Sequence, residues 1–187
     1  WELKKTETID VMDAVGSNIR VDTYDWEVKR VLPRINEEIN EEWISDKTRY
    51  ACDGLKSQRL DHPLKKINNE FKKISWKEAY ENIAEKIKIT SSDKIAGFVG
   101  DLTNMETMFV TKEFFEKTIK SKNLEARDDN TYINTEDRTN YLFNSKINGK
   151  EEADFILLIG DNPRLEATML NARIRKNYVA HKTEIYS

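Results

Sequence analysis

The sequence contains few residues that bind metals through sulfur or imidazole nitrogen. Among its 187 residues, Cys52 is the only cysteine, and His62 and His181 are the only histidines. A single thiol excludes an internal disulfide and a cysteine-ligated iron–sulfur cluster, because each needs several cysteines. The two histidines are far apart and have no cysteine beside them, which argues against a zinc site.

Long apolar runs and a dominant charge are also absent. No stretch reaches the roughly 18–20 apolar residues that span a bilayer, and there is no signal-peptide pattern. The 31 basic and 34 acidic residues are mixed throughout and give a net charge of −3. This balance does not favour nucleic-acid binding. We expect any membrane association to come through partner proteins.

The first third of the chain predicts a small β-rich domain over residues 1–63. Residues 18–34 alternate apolar and polar side chains around a turn, which is the pattern of a β-hairpin. Pro33 ends the second strand, because proline cannot donate to a sheet ladder. The acidic segment INEEINEEW, residues 35–43, is interpreted as a solvated loop. Docking to a basic patch on a neighbouring subunit is the alternative.

Three helices are predicted in the second domain, residues 64–187. The last of them follows the helical period of four residues, Leu165, Met169, Ala172 and Lys176. Ser75 and Glu78 form a capping box ahead of an apolar helical face. Thr103 and Glu106 form a second box that opens another helix. The apolar stripe of this second helix is expected to be buried core, and it comprises Met105, Met108, Phe109 and Phe115.

Short apolar runs in the same domain predict parallel strands. Residues 94–100 and 153–160 have no polar alternation, as expected for strands covered by helices on both faces. Residues 123–149 are polar and predict a loop with short helical turns, and residues 182–187 begin a further strand. The fold class is therefore α/β, with a partial doubly wound parallel sheet. Because such a sheet is incomplete, we expect the chain to be a fragment of a longer protein.

A metal-ligand spacing filled with oxygen-bearing residues lies in the first domain. The four residues are separated by two, three and 27 others, and they are Asp10, Asp13, Ser17 and Ser45. Filled with cysteines, this spacing resembles the four-iron–four-sulfur ligand pattern of molybdopterin-dependent oxidoreductases. Carboxylate and hydroxyl oxygens are hard ligands that do not hold a sulfide cluster. The four residues are interpreted as lost cluster-ligand positions.

The chain closely resembles the large iron–sulfur subunit of respiratory complex I (NADH:ubiquinone oxidoreductase), in particular its mitochondrial branch and the bacterial lineages nearest to it. The segments that carry the resemblance are KKTETIDVMDAVGSNI, RVLPRINEEINEEWISDKTRYACDGLKSQRL and EEADFILLIGDNPRLEATMLNARIRK. Essentially the whole chain is covered, most weakly over residues 121–146. The resemblance implies a start just after the ferredoxin-like part, which carries 2Fe-2S and 4Fe-4S clusters, and an end inside the molybdopterin-oxidoreductase-like domain.

The function implied by this resemblance belongs to the whole assembly. NADH is oxidised by flavin, and electrons pass along clusters to ubiquinone while protons are translocated. We expect no catalytic residue, cofactor or metal in this segment. Its expected partners are the cluster-bearing N-terminal part of the same subunit, the flavin-bearing subunit and other peripheral-arm subunits. Its expected location is the matrix side of the mitochondrial inner membrane, or the cytoplasmic face of the membrane in a related bacterium.

Two other functional classes remain open from the sequence. One is a fragment of a molybdopterin-dependent oxidoreductase, such as a formate dehydrogenase-like enzyme, and the other is a stand-alone α/β binding module. Asp10 and Asp13 are the candidates for a paired-carboxylate acid–base or metal site. Ser17 and Ser45 as nucleophiles would need a neighbouring base, and no histidine is near them in sequence.

Two segments near the end of the chain have a structural and a functional interpretation. Gly160 and Asn162 belong to a G-D-N-P turn that resembles the turn contacting the pterin in molybdopterin enzymes. Asp161 places a negative charge where a pyrophosphate would lie, so a structural turn is favoured over a relic pterin site. The basic run Arg173, Arg175 and Lys176 is interpreted as charge that complements a helix C-terminus, with a partner contact as the alternative.

Overall fold

The first strands form a three-stranded antiparallel sheet in the computed structural model, which describes residues 1–100, 102–127 and 132–187. The strands are β1 (Lys4–Ile9), β2 (Asn18–Tyr24) and β3 (Glu27–Pro33), in the order β1-β2-β3. The predicted hairpin and its end at Pro33 are confirmed. β1 is not predicted by the pattern, because KKTETI is polar and exposed along its whole length.

A small hydrophobic core lies against this sheet. Ile19, Val31 and Ile44 are buried, and Val21, Val28 and Cys52 pack around them. The sheet is followed by a loop and then by helix α1 (Asp46–Tyr50), which begins at Ser45 and continues into a 3₁₀ turn. The core therefore joins the sheet to the segment that carries α1.

A carboxylate on β2 is the most buried charge of the sheet. Asp22 has 0% relative exposure, and its two oxygens accept hydrogen bonds from Arg20 Nε at 2.8 Å and Arg30 Nε at 2.8 Å. The Arg20 guanidinium, followed by that of Arg30, holds the pKa of Asp22 below its ordinary value, although burial opposes this shift. The ion pairs thus fix two neighbouring strands, since Arg30 lies on β3.

The next segment forms a hairpin and a helix. Strands β4 (Leu64–Ile67) and β5 (Glu70–Lys73) pair through a turn at Asn68 and Asn69, both with positive φ. Asparagine tolerates this conformation better than most residues. Helix α2 (Trp76–Ile89) starts at Ser75, whose hydroxyl accepts the Glu78 N–H at 3.2 Å, so the predicted N-terminus is confirmed. The predicted apolar face forms, but Ala79 is its only buried residue.

The second predicted helix lies, in sequence, between two strands that pair in parallel. Strand β6 (Gly97–Phe98) is followed by α3 (Met105–Glu113), a π-helical turn (Phe114–Ile119) and β7 (Leu124–Glu125), which pairs with β6. The helix begins at Asn104, which caps the Thr107 N–H at 2.8 Å, and not at Thr103. Gly97 is required for close packing, because a Cβ there would lie 2.9 Å from Leu124 Cδ1 and closer still to the Phe115 ring.

The predicted core stripe is confirmed at Phe115 and wrong at Met105 and Phe109, and Met108 is half-buried. Met105 is 79% exposed and Phe109 is 61% exposed, whereas Phe115 and Ile119 are buried. The buried pair lies in the π-helical turn, whereas Met105 and Phe109 lie in the regular part of the helix. Helical period thus shows which residues share a face, but it does not show whether another segment covers that face.

The last segment repeats the strand–helix–strand pattern. Strand β8 (Phe155–Leu157) is followed by α4 (Pro163–Glu166), α5 (Thr168–His181) and β9 (Glu184–Tyr186). β8 and β9 pair in parallel, with Ile156 opposite Ile185. Ile156, Met169 and Ile174 are the buried apolar residues of this segment.

The mixed α/β class is confirmed, with a small antiparallel sheet followed by parallel strands. The parallel strands are shorter than predicted and lie in two separate pairs, β6–β7 and β8–β9. The chain divides into a first unit, Trp1–Gln58 with Asn134–Ser187, and a second unit, Arg59–Ile133. Within the described residues, no helix is both long and apolar enough to cross a membrane.

The Asp22 ion pairs predict a specific acid sensitivity. The stability that Asp22 contributes is fully present above the pKa of an unfolded aspartate and is lost as pH falls through its lower folded pKa. We expect D22N to lower the free energy of unfolding by about 1–2 kcal/mol at neutral pH, since it removes charge-assisted hydrogen bonds. Urea unfolding at a series of pH values measures this difference, which should shrink below about pH 4.

The matched control is D25N, in the exposed turn of the same hairpin. Asp25 has a φ of 49°, a conformation that asparagine also tolerates. D25N should change stability by less than about 0.5 kcal/mol at every pH. A D22N deficit that stays constant into strong acid would contradict the assignment.

Candidate functional site

The four positions that the sequence analysis interprets as lost cluster ligands lie in the first unit, and three of them are buried. Asp10, Ser17 and Ser45 are 5%, 1% and 4% exposed. Asp10 follows β1, Ser17 precedes β2, and the Asp10 N–H donates to the Ser17 carbonyl at 2.8 Å. Asp13 is half-buried in the intervening turn, where its carboxylate accepts the Val15 N–H at 3.0 Å. The structure therefore brings the first three positions together through one closed turn.

Thr48 connects this turn to α1. Its hydroxyl donates to Asp10 Oδ2 at 2.6 Å and lies 2.7 Å from Ser45 Oγ. A hydroxyl has one proton to give, so the Ser45 hydroxyl donates to Thr48 Oγ1. Ser45 Oγ in turn accepts the Thr48 N–H at 3.1 Å, which caps the helix. We call these three residues, Asp10, Ser45 and Thr48, the Thr48 network.

The donor set of the four positions does not fit a four-iron–four-sulfur cluster. The side chains offer carboxylate and hydroxyl oxygens, whereas sulfide clusters are held by thiolates. Cys52, the one thiol, packs against the core of the sheet and contacts the Arg49 carbonyl at 3.7 Å. Among the described residues, no group of three or more His, Cys, Asp or Glu side chains could hold a metal ion.

The turn at residues 160–163 offers little to an anionic cofactor. Gly160 has a φ of 69°, and the Asn162 N–H donates to Glu166 Oε2 at 2.6 Å. A carboxylate thus already takes the backbone donor at the start of α4, and Asp161 adds a second negative charge. A pterin pyrophosphate fits this turn poorly, because backbone N–H groups at a helix start are what would bind it.

A buried arginine makes three long-range hydrogen bonds within the first unit. Arg173, on α5, is 3% exposed, and its Nε donates to the Ile39 carbonyl at 3.0 Å. Its two terminal nitrogens bond to the Glu37 carbonyl and to the Glu151 carboxylate. These partners place the acidic loop of residues 35–43 directly on α5.

Lys176 completes this arrangement one helical turn further on. Its Nζ lies 2.6 Å from Glu41 Oε1 and 3.4 Å from Glu151 Oε1. The Lys176 ammonium lowers the pKa of Glu41, and Glu41 followed by Glu151 raises the pKa of Lys176. We call Glu41, Glu151, Arg173 and Lys176 the Arg173 cluster.

The interpretation of residues 35–43 as a solvated loop is therefore correct only in part, because Glu37, Glu38 and Glu42 have exposed side chains whereas Glu41 contacts α5. The acidic loop and the basic run predicted from the sequence bind each other within one chain, and Arg173 serves as a buried anchor. Sequence reasoning also missed Thr48, whose only local signal is its position three residues after a helix-capping serine. Asn40 was missed as well, although it is 2% exposed and its side chain accepts the Asn18 N–H at 2.9 Å.

Two family models match the chain. The molybdopterin oxidoreductase model covers residues 59–187, and the 4Fe-4S domain model of the NADH-ubiquinone oxidoreductase NDSU1/NuoG-like type covers residues 3–53. The chain therefore belongs to the molybdopterin oxidoreductase family. The second match suggests an iron–sulfur cluster in residues 3–53, which is at odds with the expectation of no cluster here and with the oxygen donor set.

Within that family, the curated relatives that match the chain are subunits of NADH-ubiquinone or NADH-quinone oxidoreductase, which places the chain with the large iron–sulfur subunit of complex I. The 78 kDa subunit of NADH-ubiquinone oxidoreductase from Candida albicans is 50% identical over 192 residues, covering 100% of this chain and 26% of its own length. The 75 kDa subunit from Reclinomonas americana is 44% identical, covering 100% and 29%. The corresponding NADH-quinone oxidoreductase subunit from Rickettsia prowazekii is 49% identical, covering 93% and 26%. The chain thus spans only 26–29% of the length of these relatives.

The Thr48 network predicts an unequal response to two conservative substitutions. T48V keeps the shape but leaves buried Asp10 Oδ2 without its hydroxyl donor, which should cost about 1–3 kcal/mol of unfolding free energy. T48S keeps the hydroxyl and should cost less. Urea unfolding of both variants measures the difference. Equal stability of the two variants would show that the hydroxyl contacts contribute nothing.

The Arg173 cluster predicts that charge alone does not substitute for arginine. Lysine cannot reproduce three diverging hydrogen bonds, so R173K should lose about 2 kcal/mol or more. R175K changes an exposed neighbour on the same helix and should stay within about 0.5 kcal/mol of the parent. Amide hydrogen exchange shows where R173K loosens the structure. The exchange rate should increase most at the amides of residues 36–41. Equal effects of R173K and R175K would refute the anchoring role.

Proposed function

We propose that this chain is a supporting segment of the large iron–sulfur subunit of an NADH:ubiquinone oxidoreductase, with no redox centre of its own. Relatives named as subunits of that enzyme support the assembly. The absence of a redox centre is supported by the side-chain oxygens of Asp10 and Ser45, which are both hydrogen-bonded to the Thr48 hydroxyl. Because Thr48 satisfies these two buried side chains, they do not need a metal to offset their burial.

The segment serves catalysis by holding its neighbours still. Electron transfer between centres depends steeply on distance, so the supports of those centres must be fixed to within a fraction of an ångström. In this chain, buried polar contacts at Asp22, Thr48 and Arg173 restrain the strands and loops. A metal-free scaffold of this kind affects how much enzyme assembles, and it leaves the chemistry of each assembled enzyme unchanged.

The proposed setting is the peripheral arm of the enzyme, which oxidises NADH, reduces ubiquinone and translocates protons. The proposed neighbours are the cluster-bearing N-terminal part of the same subunit, the flavin-bearing subunit and other peripheral-arm subunits. Membrane association would come through these partners, on the matrix or cytoplasmic side. The 2Fe-2S and 4Fe-4S clusters would lie in a part of the subunit other than this segment.

A fragment of a molybdopterin-dependent oxidoreductase is the second candidate. The family match over residues 59–187 and the G-D-N-P turn favour it. The Asn162 N–H, however, is already bonded to the Glu166 carboxylate at 2.6 Å. The first candidate is therefore preferred, and metal content distinguishes the two.

The scaffold role predicts a loss of assembly without a loss of turnover. In cells that produce the full-length subunit, R173K should reduce the amount of assembled NADH-oxidising particle, because the anchor of the first unit is weakened. The rate of NADH oxidation per bound flavin should stay the same. Native gel electrophoresis measures the amount of the particle, and the flavin-normalised rate measures its turnover.

R175K is the matched control and should leave both quantities unchanged. A fall in turnover per flavin at normal particle abundance would contradict a supporting role. Stoichiometric iron and sulfide in the purified 187-residue chain would contradict the absence of a redox centre. Stoichiometric molybdenum or tungsten would favour the second candidate.

A further inference from the structure

The space between two of the former ligand positions is occupied by a single hydroxyl. Thr48 Oγ1 lies 2.6 Å from Asp10 Oδ2 and 2.7 Å from Ser45 Oγ, and both distances are ordinary for O–H···O hydrogen bonds. All three side chains are at most 5% exposed. A cube of four irons and four sulfides requires far more room than one oxygen atom, so it could not lie between these positions while Thr48 stays in place.

The contacts of Thr48 also fix the helix that carries it. Ser45 is both a partner of the Thr48 hydroxyl and the N-cap of α1, because its Oγ accepts the Thr48 N–H at 3.1 Å. Asp10 is restrained in addition by the Met12 N–H at 3.0 Å and by its own N–H to the Ser17 carbonyl. The hydroxyl of Thr48 thus ties α1 to the turn of residues 10–17 through groups that are already positioned.

We propose that the buried Thr48 side chain, by occupying the space between positions 10 and 45, keeps this pocket closed to an iron–sulfur cluster, so that restoring the four thiol ligands alone does not restore cluster binding. The match of the 4Fe-4S domain model to residues 3–53 and the oxygen donor set disagree, and Thr48 accounts for the disagreement structurally. The fold that once surrounded a cluster is now closed by a hydrogen-bonded side chain. The inference concerns this pocket alone and goes beyond the assignment to an oxidoreductase subunit.

Restoring the ligands with and without Thr48 tests the inference. The 187-residue chain with D10C, D13C, S17C and S45C is prepared in two forms, one with Thr48 and one with T48G added. Each is incubated anaerobically with ferrous iron and sulfide, and bound iron, acid-labile sulfide and cluster absorbance are measured per chain. T48G should raise cluster loading about tenfold, as expected when the binding-competent state becomes that much more populated.

Two further variants separate the loss of the side chain from the effect of glycine. K47G, in the four-cysteine chain, places glycine at an exposed site on the same helix and should not raise loading. T48S, in the same background, retains a side chain in the space between positions 10 and 45 and should load less cluster than T48G, although the hydrogen-bond partners Asp10 and Ser45 are absent there. Circular dichroism before incubation shows whether each chain is folded, and a T48G chain that folds only on loading still supports the inference.

Equal loading with and without T48G would overturn the inference, as would loading in neither form. Loading in the K47G chain equal to that of the T48G chain would assign the effect to helix weakening, and would overturn it too. The chain without any substitution is incubated and measured in the same way as a separate test. Stoichiometric cluster in that chain would contradict the proposed absence of a redox centre, whereas the four-cysteine comparison addresses Thr48 only.

Discussion

The first unit depends on the burial of one guanidinium group. A buried charge costs several kcal/mol unless its hydrogen bonds are satisfied, so Arg173 fixes the positions of its partners. Those partners are the carbonyls of Glu37 and Ile39, more than 130 residues away in sequence, and the carboxylate of Glu151. The acidic loop that precedes α1 is thereby held against α5, and its course is set by a residue near the end of the chain.

The order imposed by Arg173 continues through the loop to the Thr48 network. Asn40, next to the anchored Ile39, donates to the Arg34 and Trp43 carbonyls at 3.0 Å and accepts the Asn18 N–H. These bonds fix the start of β2 and the approach to Ser45, which caps α1 and supports Thr48. A metal cluster contributes folding free energy directly, whereas each hydrogen bond contributes only about 1 kcal/mol. Without a cluster, several linked hydrogen bonds are therefore needed to hold the start of β2, the loop and α1 together.

Local features of this fold could be predicted from the sequence, and pairings between distant segments could not. The hairpin of residues 18–34 and the Ser75 cap depend on residues a few positions apart, so alternation and capping patterns reveal them. The contact of Thr48 with Asp10 spans 38 residues, and that of Arg173 with Glu37 spans 136. Neither pairing has a local signature. The stripe of α3 failed at Met105 and Phe109 for another reason, because a helical period identifies a shared face and does not reveal whether another segment covers it.

The resolved pKa shifts of the described residues come from partners that stabilise the charged forms. Catalytic acids and bases near neutral pH need pKa values moved toward neutrality, as in a raised glutamate or a lowered lysine. In the part of the chain that the structure describes, the resolved shifts run the other way. The pKa values of Asp22 and Glu41 are lowered and that of Lys176 is raised, each by a charged partner. Shifts of this sign stabilise the charged forms and belong to ion pairs that hold structure. Asp22 and Arg173 thus hold strands and loops in place through their ion pairs and hydrogen bonds. Asp10 and Ser45 fasten α1 to the turn of residues 10–17 through Thr48.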